Sequence, residues 1–277
     1  MSWLFRFPAV KVALALCLAM LSVGGTLFAI EGTSGAAPSP ASVDHQLCYT
    51  ATATGFKIPT TGVRLINQFA PNGFVPRIGP LVKNCNPVQK TINLPAAPRV
   101  YKITNPDAHL ACFKITAPTQ PTRIVRVTNQ FGRGTLTVGQ PQILCLPTWK
   151  SLTAAPREPV PQPPDLSHFT CYSVSEPAGT NQYKAPGPVL LKDEFSPQPV
   201  RVSIGLPQLL CLPTTKIIGK TTYPMVNATV HLLCFQVTPP TPIRTPVFDL
   251  NQFGHGTVQI TKTTNLLCLP SSKTVLK

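Results

Sequence analysis

Short stretches of alternating apolar and polar residues recur along the chain, and they predict β-strands. Across residues 231–237, the odd-numbered side chains share one face, which carries Phe235, and the even-numbered ones share the other, which carries Cys234. The same parity holds across residues 109–115. Beyond residue 36 no stretch shows a convincing 3.6-residue period. The pattern therefore predicts an all-β protein in which the aromatic ring of each first strand faces the core and the cysteine faces the opposite way.

Three motifs recur in the same order four times, which indicates a repeat protein. The first is His, two residues, Cys and an aromatic residue. The second is Asn or Asp, then Gln or Glu, then Phe, and the third is Cys, one residue, Pro, two residues and Lys. The recurring positions are His45, His109, His168 and His231; Phe69, Phe131, Phe195 and Phe253; and Lys90, Lys150, Lys216 and Lys273.

The repeats divide the chain into several segments. We assign a signal peptide to residues 1–36, repeats to 44–92, 107–152, 166–218 and 229–276, and a proline-rich linker to 153–165. Each repeat is predicted to hold about four short antiparallel strands, and the four modules are expected to follow one another like beads on a string. The first repeat is the most divergent, because Asn84 and Asn86 stand where the others have leucine beside the second cysteine.

The cysteines predict one disulfide in each repeat. A unit of this size buries too little surface to be comfortably stable without a covalent staple. Of nine cysteines, Cys17 lies in the leader and the other eight fall two per repeat. Repetition selects the pairing Cys48–Cys85, Cys112–Cys145, Cys171–Cys211 and Cys234–Cys268. In the chain-entropy model, each bond contributes roughly 3–4 kcal/mol to stability.

Glycine and proline positions predict the turns. Strands near residues 124–131 and 135–138 are expected to be joined at Gly132–Gly134, where glycines permit the positive φ of a tight hairpin. A proline follows two residues after every second cysteine and is interpreted as the end of a strand.

The N-terminus has the features of an export signal. Arg6 and Lys11 precede an apolar run from Val12 to Ile30, and small residues follow the run. The apolar run approaches spanning length, so an uncleaved membrane anchor is the alternative. We expect a secreted, periplasmic or cell-surface protein that meets a membrane only through an uncleaved leader.

The formal net charge of +15 favours an anionic partner. The cations are scattered without a run of lysine or arginine, so nucleic acid is not an expected partner. An anionic cell-envelope polymer or another surface protein fits better. The four recurring lysines are candidates for anion contacts, and the alternative role for them is a solubilising charge at a strand edge.

The motifs predict no catalytic residue, no metal site and no cofactor. A histidine and a cysteine three residues apart on a strand face opposite sides, so they cannot share one metal ion. We expect the histidines to pack where a strand begins and the phenylalanines to anchor the core. We expect the Asn or Asp before each phenylalanine to bond the backbone of the next turn. Carboxylates are few, and no nucleophile has a basic partner beside it.

With these motifs the chain resembles an uncharacterised repeat family of exported bacterial proteins. The resemblance covers residues 45–90, 109–150, 168–216 and 231–273. It implies export and a tandem arrangement, and it supplies no catalytic or binding residue. The expected function is that of a cell-surface or extracellular binding or structural protein without enzymatic activity. The alternative is a secreted hydrolase or protease inhibitor.

Overall fold

The computed structural model describes residues 43–59, 62–92, 98–157, 166–180, 182–185, 187–196, 198–239, 246–261 and 265–276. The predicted signal peptide and most of the predicted proline-rich linker lie outside these ranges. No helix occurs within them, so none there could cross a membrane. The strands are β1 Gln46–Thr54, β2 Val63–Asn67, β3 Ala70–Phe74, β4 Arg77–Pro87, β5 Gln89–Ile92, β6 Arg99–Tyr101, β7 His109–Thr116, β8 Arg123–Asn129, β9 Gly132–Ser151, β10 His168–Ser175, β11 Val189–Lys192, β12 Val200–Ile218, β13 Thr221–Tyr223, β14 His231–Thr238, β15 Pro246–Asn251, β16 Gly254–Ile260 and β17 Asn265–Val275. The all-β, antiparallel class is confirmed.

Eight of these strands, two from each repeat, close into a ring. Their order around it is β1, β4, β7, β9, β10, β12, β14 and β17, and β17 pairs again with β1. Within each repeat, the two cysteines face each other directly across an antiparallel pair and form a disulfide. The bonds are Cys48–Cys85, Cys112–Cys145, Cys171–Cys211 and Cys234–Cys268. We call these eight strands the central ring.

The disulfides fill the inside of the central ring. Sulfurs of neighbouring repeats are in van der Waals contact, at 3.8 Å for Cys85 and Cys112 and 4.0 Å for Cys145 and Cys171. These distances are shorter than the spacing of about 4.7–4.9 Å between neighbouring strands, so the sulfurs converge inward. The cavity left among the cysteines and leucines is about 20 Å³, room for about one water. The interior is therefore a packed core.

The outer face of the central ring carries the main hydrophobic core. The aromatic residue after each first cysteine points outward into this core, as the alternation predicts. The strands between the two ring strands of each repeat cover it, together with the ends of the closing strands. These ends reach across to the opposite repeat, in the pairs β5–β11, β9–β15, β12–β2 and β17–β8. The repeats are thus interlaced parts of one compact unit, Ala37–Lys277, and not beads on a string.

The prolines after the second cysteines do not all end strands. Pro147, Pro213 and Pro270 lie inside β9, β12 and β17. On the side that faces the next repeat, strand pairing stops before the proline is reached. In β9, the last residue that pairs with the ring strand of the next repeat is Cys145. An amide hydrogen is not needed on that side, so proline costs no ladder bond there. The prediction of strand ends was wrong for these three residues.

The hairpin turn lies two residues before its predicted place. Gln130 and Phe131 form the turn, and β9 already begins at Gly132, which has a φ of +127°. Gly134 serves another purpose, because a Cβ there would lie 2.6 Å from the ring of Tyr183. The second motif is therefore the turn itself, and the second glycine makes room for an aromatic ring.

Candidate functional site

The recurring lysine of each repeat lies against the turn of the next repeat. Its ammonium nitrogen stands over a phenylalanine ring, at 4.8 Å for Lys90 and Phe131, 5.1 Å for Lys150 and Phe195, 5.0 Å for Lys216 and Phe253, and 4.5 Å for Lys273 and Phe69. The last pair joins repeat 4 to repeat 1 and completes the circle. We call these four places junctions and name them 1/2, 2/3, 3/4 and 4/1 by the repeats they join.

Junction 1/2 brings all three motifs together. The Oε1 atom of Gln130 accepts a hydrogen bond from Nε2 of His45 at 2.9 Å and another from Nζ of Lys90. The Lys90 nitrogen also lies 4.6 Å from the ring centre of Tyr101. Because an amide oxygen only accepts, the hydrogen of the neutral His45 ring is on Nε2.

Junction 3/4 repeats this arrangement. His168 donates from Nε2 to Oε1 of Gln252 at 2.7 Å, and Lys216 donates to the same oxygen. Lys216 lies 4.7 Å from the ring centre of Tyr223. Two of the four junctions thus hold an identical set of one lysine, one histidine, one glutamine, one tyrosine and one phenylalanine.

Burial shifts the pKa values of these cations strongly. Desolvation lowers the pKa of Lys90 and of Lys216 from 10.5 to about 7. Desolvation, and then the nearby lysine charge, lowers the pKa of His45 and of His168 from 6.5 to about 3. At neutral pH the histidines are therefore neutral and an appreciable fraction of the two lysines is uncharged.

Junction 2/3 has an acid where the others have glutamine. Lys150, whose side chain is fully buried, lies 3.1 Å from Oε1 of Glu194 and also donates to Oδ1 of Asn86. Nδ1 of His109 lies 3.8 Å from the same carboxylate, too far for a hydrogen bond. Desolvation, and then the Lys150 charge, lowers the pKa of His109. This junction is an ion pair supported by a side-chain amide.

Polar departures from the repeat pattern meet behind junction 2/3. Asn84 of repeat 1 donates to Oδ2 of Asp249 of repeat 4 at 2.6 Å. Asp193 of repeat 3 accepts from Asn86 at 3.1 Å and from the hydroxyl of Tyr49 at 2.8 Å. Burial raises the pKa of Tyr49, and the Asp193 charge raises it further. The irregular residues of different repeats thus complement one another.

Asp249 is the buried acid that sequence reasoning missed. It is fully buried, and desolvation raises its pKa from 3.8 to about 7, although Lys150 and the Asn84 hydrogen bond act in the opposite direction. The missed signal lies in the repeat alignment, because the corresponding positions, two residues before Asn67, Asn129 and Asp193, carry Leu65, Val127 and Leu191. A polar residue at an apolar repeat position indicates a buried partner.

Junction 4/1 lacks the histidine contact. Lys273 donates to Oε1 of Gln68, which is exposed, and desolvation lowers the pKa of this lysine to about 8. His231 instead donates from Nδ1 to the backbone oxygen of Thr229 at 2.9 Å. Junction 4/1 is therefore the most exposed of the four junctions, and its histidine does not contact the glutamine.

The structure removes three lysines from the candidate anion contacts. Lys90 and Lys216 are fully buried, and the Lys150 side chain is enclosed as well, so a polymer cannot reach them. They are not solubilising edge charges either. The nitrogen of each of these lysines contacts aromatic rings and side-chain oxygens at its junction.

The phenylalanines of the second motif pair with the aromatic residue of the opposite repeat. The ring centres lie 5.3 Å apart for Tyr49 and Phe195, 5.0 Å for Phe113 and Phe253, 5.2 Å for Phe69 and Tyr172, and 5.4 Å for Phe131 and Phe235. All four pairs are edge-to-face, the favoured geometry.

The Asn or Asp before each phenylalanine caps its turn. The side-chain oxygen accepts the backbone amide of the phenylalanine, at 2.9 Å for Asn67, 2.8 Å for Asn129, 3.1 Å for Asp193 and 2.8 Å for Asn251. Each turn is thus fixed both by its own side chain and by a ring from the opposite repeat.

Two open grooves flank the exposed side chain of Leu206 in repeat 3. One, of about 780 Å³, is lined by residues that include Lys184 and Arg201, and the other, of about 360 Å³, is lined by residues 174–180 and 206–208. Within the described residues no group of His, Cys, Asp and Glu could hold a metal ion. The recurring polar side chains of the three motifs lie at the junctions and not in the grooves.

Comparison with known protein families matches residues 109–269, from the histidine of repeat 2 to the closing strand of repeat 4, to DUF7450, a repeat of unknown function. Comparisons with curated proteins and with solved structures give no match. The matched residues make up more than half of the chain. The chain therefore belongs to this family of repeats of unknown function.

Proposed function

We propose that the protein is exported and acts outside the cytoplasm as a non-catalytic protein that binds an anionic polymer of the cell envelope or extracellular matrix. Four disulfides in one compact unit support an oxidising compartment, because cytosolic thiols are kept reduced. The polar residues of the motifs are occupied in joining the repeats, which supports a binding or structural role over catalysis.

The surface charge is the observation that carries the choice of partner. In the described part of the chain, two acidic residues are exposed, Asp107 and Glu194. Against them stand the exposed cations Lys57, Arg64, Arg77, Arg99, Lys102, Lys114, Arg126, Arg133, Arg157, Lys184, Lys192, Arg201 and Lys220. A rigid surface with this imbalance attracts polyanions over a range set by ionic strength.

Retention on immobilised polymers tests this proposal. The protein without its leader would be applied at low salt to a polyuronate, a polyphosphate and neutral dextran. We expect retention on the anionic matrices alone, with elution as salt screens the charges. Passage through both anionic matrices at low salt would contradict the proposal.

Charge variants sharpen the test. Arg126 and Arg133 lie diagonally on the exposed face of one hairpin, because Arg126 pairs with Thr135 and Arg133 with Thr128. The variant R126E/R133E should elute at lower salt than the parent protein. The opposite change, D107K, should elute at higher salt. Equal elution of all three proteins would contradict binding through surface charge.

A further inference from the structure

Junctions 1/2 and 3/4 place a fully buried amine directly against a half-buried carboxamide. Lys90 and Lys216 are fully buried and contact the side-chain oxygens of Gln130 and Gln252. Each amine lies within 5.0 Å of the centres of two aromatic rings. A desolvated amine in an aromatic pocket is a stronger nucleophile than a hydrated ammonium, because it is more often uncharged.

Each of the two amides also receives a hydrogen bond on the oxygen that would become negative during attack. His45 donates to Gln130 at 2.9 Å, and His168 donates to Gln252 at 2.7 Å. Both histidines are buried and neutral, so the donor is fixed before any reaction. A positioned hydrogen-bond donor is the usual means of stabilising the oxyanion of acyl transfer.

We propose that Lys90 forms an isopeptide bond with Gln130, and Lys216 with Gln252, in a reaction that the folded protein carries out on itself. Nζ attacks Cδ of the glutamine, a new N–C bond forms, and the bond from Cδ to the amide nitrogen breaks. One proton moves from Nζ to the departing nitrogen, which leaves as ammonia. The exchange of one amide for another needs no oxidant, reductant or further reactant.

Fixed geometry supplies what this exchange lacks in solution. Amines attack amides slowly, but well-oriented groups within one molecule reach effective concentrations of about 10⁵–10⁸ M. The closed ring holds the lysine of one repeat and the glutamine of the next in register. The released ammonia escapes to solvent, which favours the product.

The other two junctions differ in the parts that the reaction needs. Gln68 at junction 4/1 is exposed, and His231 bonds the backbone instead of the amide. Glu194 at junction 2/3 replaces the glutamine and cannot release ammonia, and the carboxamide that Lys150 does contact, that of Asn86, comes from repeat 1 and not from the turn motif. The proposal therefore covers junctions 1/2 and 3/4, and Lys273 at junction 4/1 serves as an internal control.

Mass spectrometry of the full chain, reduced and alkylated, tests the proposal. The intact mass should be lower than the sequence mass by at least two ammonia molecules. Trypsin should fail to cleave after Lys90 and Lys216 but cleave after Lys273. Fragmentation should identify peptides in which Lys90 is linked to Gln130 and Lys216 to Gln252. A full sequence mass, with free peptides at both junctions, would overturn the proposal.

Two variants locate the chemistry. Q130E keeps the size of the side chain but removes the leaving ammonia, so the Lys90 linkage should disappear while the linkage of Lys216 stays. H45F keeps a ring but removes the donor, so the Lys90 linkage should be lost or form more slowly in freshly refolded protein. The second junction shows in each case that the protein has folded. Linkage of Lys90 at the parent rate in H45F would overturn the role of the histidine.

Discussion

The hydrogen bond between Asn84 and Asp249 offers a sharp test of how the repeats complement one another. Both residues occupy positions that are apolar in the other repeats. Both are fully buried, and Nδ2 of Asn84 lies 2.6 Å from Oδ2 of Asp249. Their remaining oxygens have no hydrogen-bond partner. The hydrogen bond between them is therefore the main compensation for burying these two polar side chains.

Replacing one partner at a time should be costly. Asn84→Leu would leave a fully buried carboxyl group without its hydrogen-bond donor, at a cost of about 1–3 kcal/mol. Asp249→Leu would leave the Asn84 amide unsatisfied, at a cost of about 1–3 kcal/mol. Asn84→Leu should also raise the pKa of Asp249 further, because the hydrogen bond to Asn84 lowers it.

The double variant should recover most of the loss. Leucine at both positions restores the apolar pair that the other repeats carry, and a buried polar pair is often replaced by apolar residues at little cost. We expect N84L/D249L to lie within about 1 kcal/mol of the parent protein. The coupling energy from the cycle should then be at least about 1 kcal/mol.

Urea unfolding at pH 7 without reductant measures the free energies for the four proteins of this cycle. Equal slopes against urea would show that the same cooperative unit unfolds in each. Additive losses, with the double variant as unstable as the sum of the singles, would refute the reasoning that the two departures compensate each other.

Two further predictions concern pH and packing. Because burial lowers the pKa of His45 and His168 from 6.5 to about 3, the neutral rings stabilise the fold above pH 6.5, and this stability is lost as pH falls from 6.5 towards 3. Asp249 has a raised pKa of about 7, so its protonation stabilises the fold between pH 7 and 4 and opposes the loss caused by the histidines. The urea midpoint should therefore fall more steeply on acidification in D249N than in the parent protein. A midpoint that rises on acidification of D249N would contradict the assignment. G256A should lower the free energy of unfolding by about 1–3 kcal/mol, because its Cβ would lie 2.3 Å from the ring of Phe56. An unchanged thermal midpoint for G256A would show that this ring does not pack there.

The repeat pattern predicts the strand faces and the disulfide that lie within a single repeat. Strict alternation around Cys112 and Cys234 places cysteine and aromatic ring on opposite faces, and the structure has them in separate cores. One disulfide within each repeat follows because two cysteines recur at similar spacing. Both features depend on a strand pair that lies within one repeat.

Pairing between repeats could not be predicted from the same pattern. The ends of β9 and β17 extend past Pro147 and Pro270 to reach the opposite repeat, and nothing in a single copy shows that the strand continues. A lysine five residues after a cysteine looks like an exposed charge. The turn of the next repeat, together with Tyr101 or Tyr223, buries Lys90 and Lys216.

The polar residues that meet behind junction 2/3 could have been predicted in part. Asn84 and Asn86 stand out in repeat 1, and Asp193 and Glu194 stand out in repeat 3. Asp249 stands at an otherwise apolar position of repeat 4. Polar departures in several copies suggest a shared partner, but the pairing of Asn84 with Asp249 required the closed ring.

Closure of the ring between repeats 1 and 4 is tested most directly by an engineered disulfide. Thr52 of β1 and Gln259 of β16 are exposed and directly opposite in an antiparallel pair. The variant T52C/Q259C should form a fifth disulfide within one chain, found by peptide mapping under non-reducing conditions, while the off-register control T54C/Q259C should not. Free thiols at 52 and 259, with the four native bonds intact, would contradict the closed ring and return the repeats to separate modules.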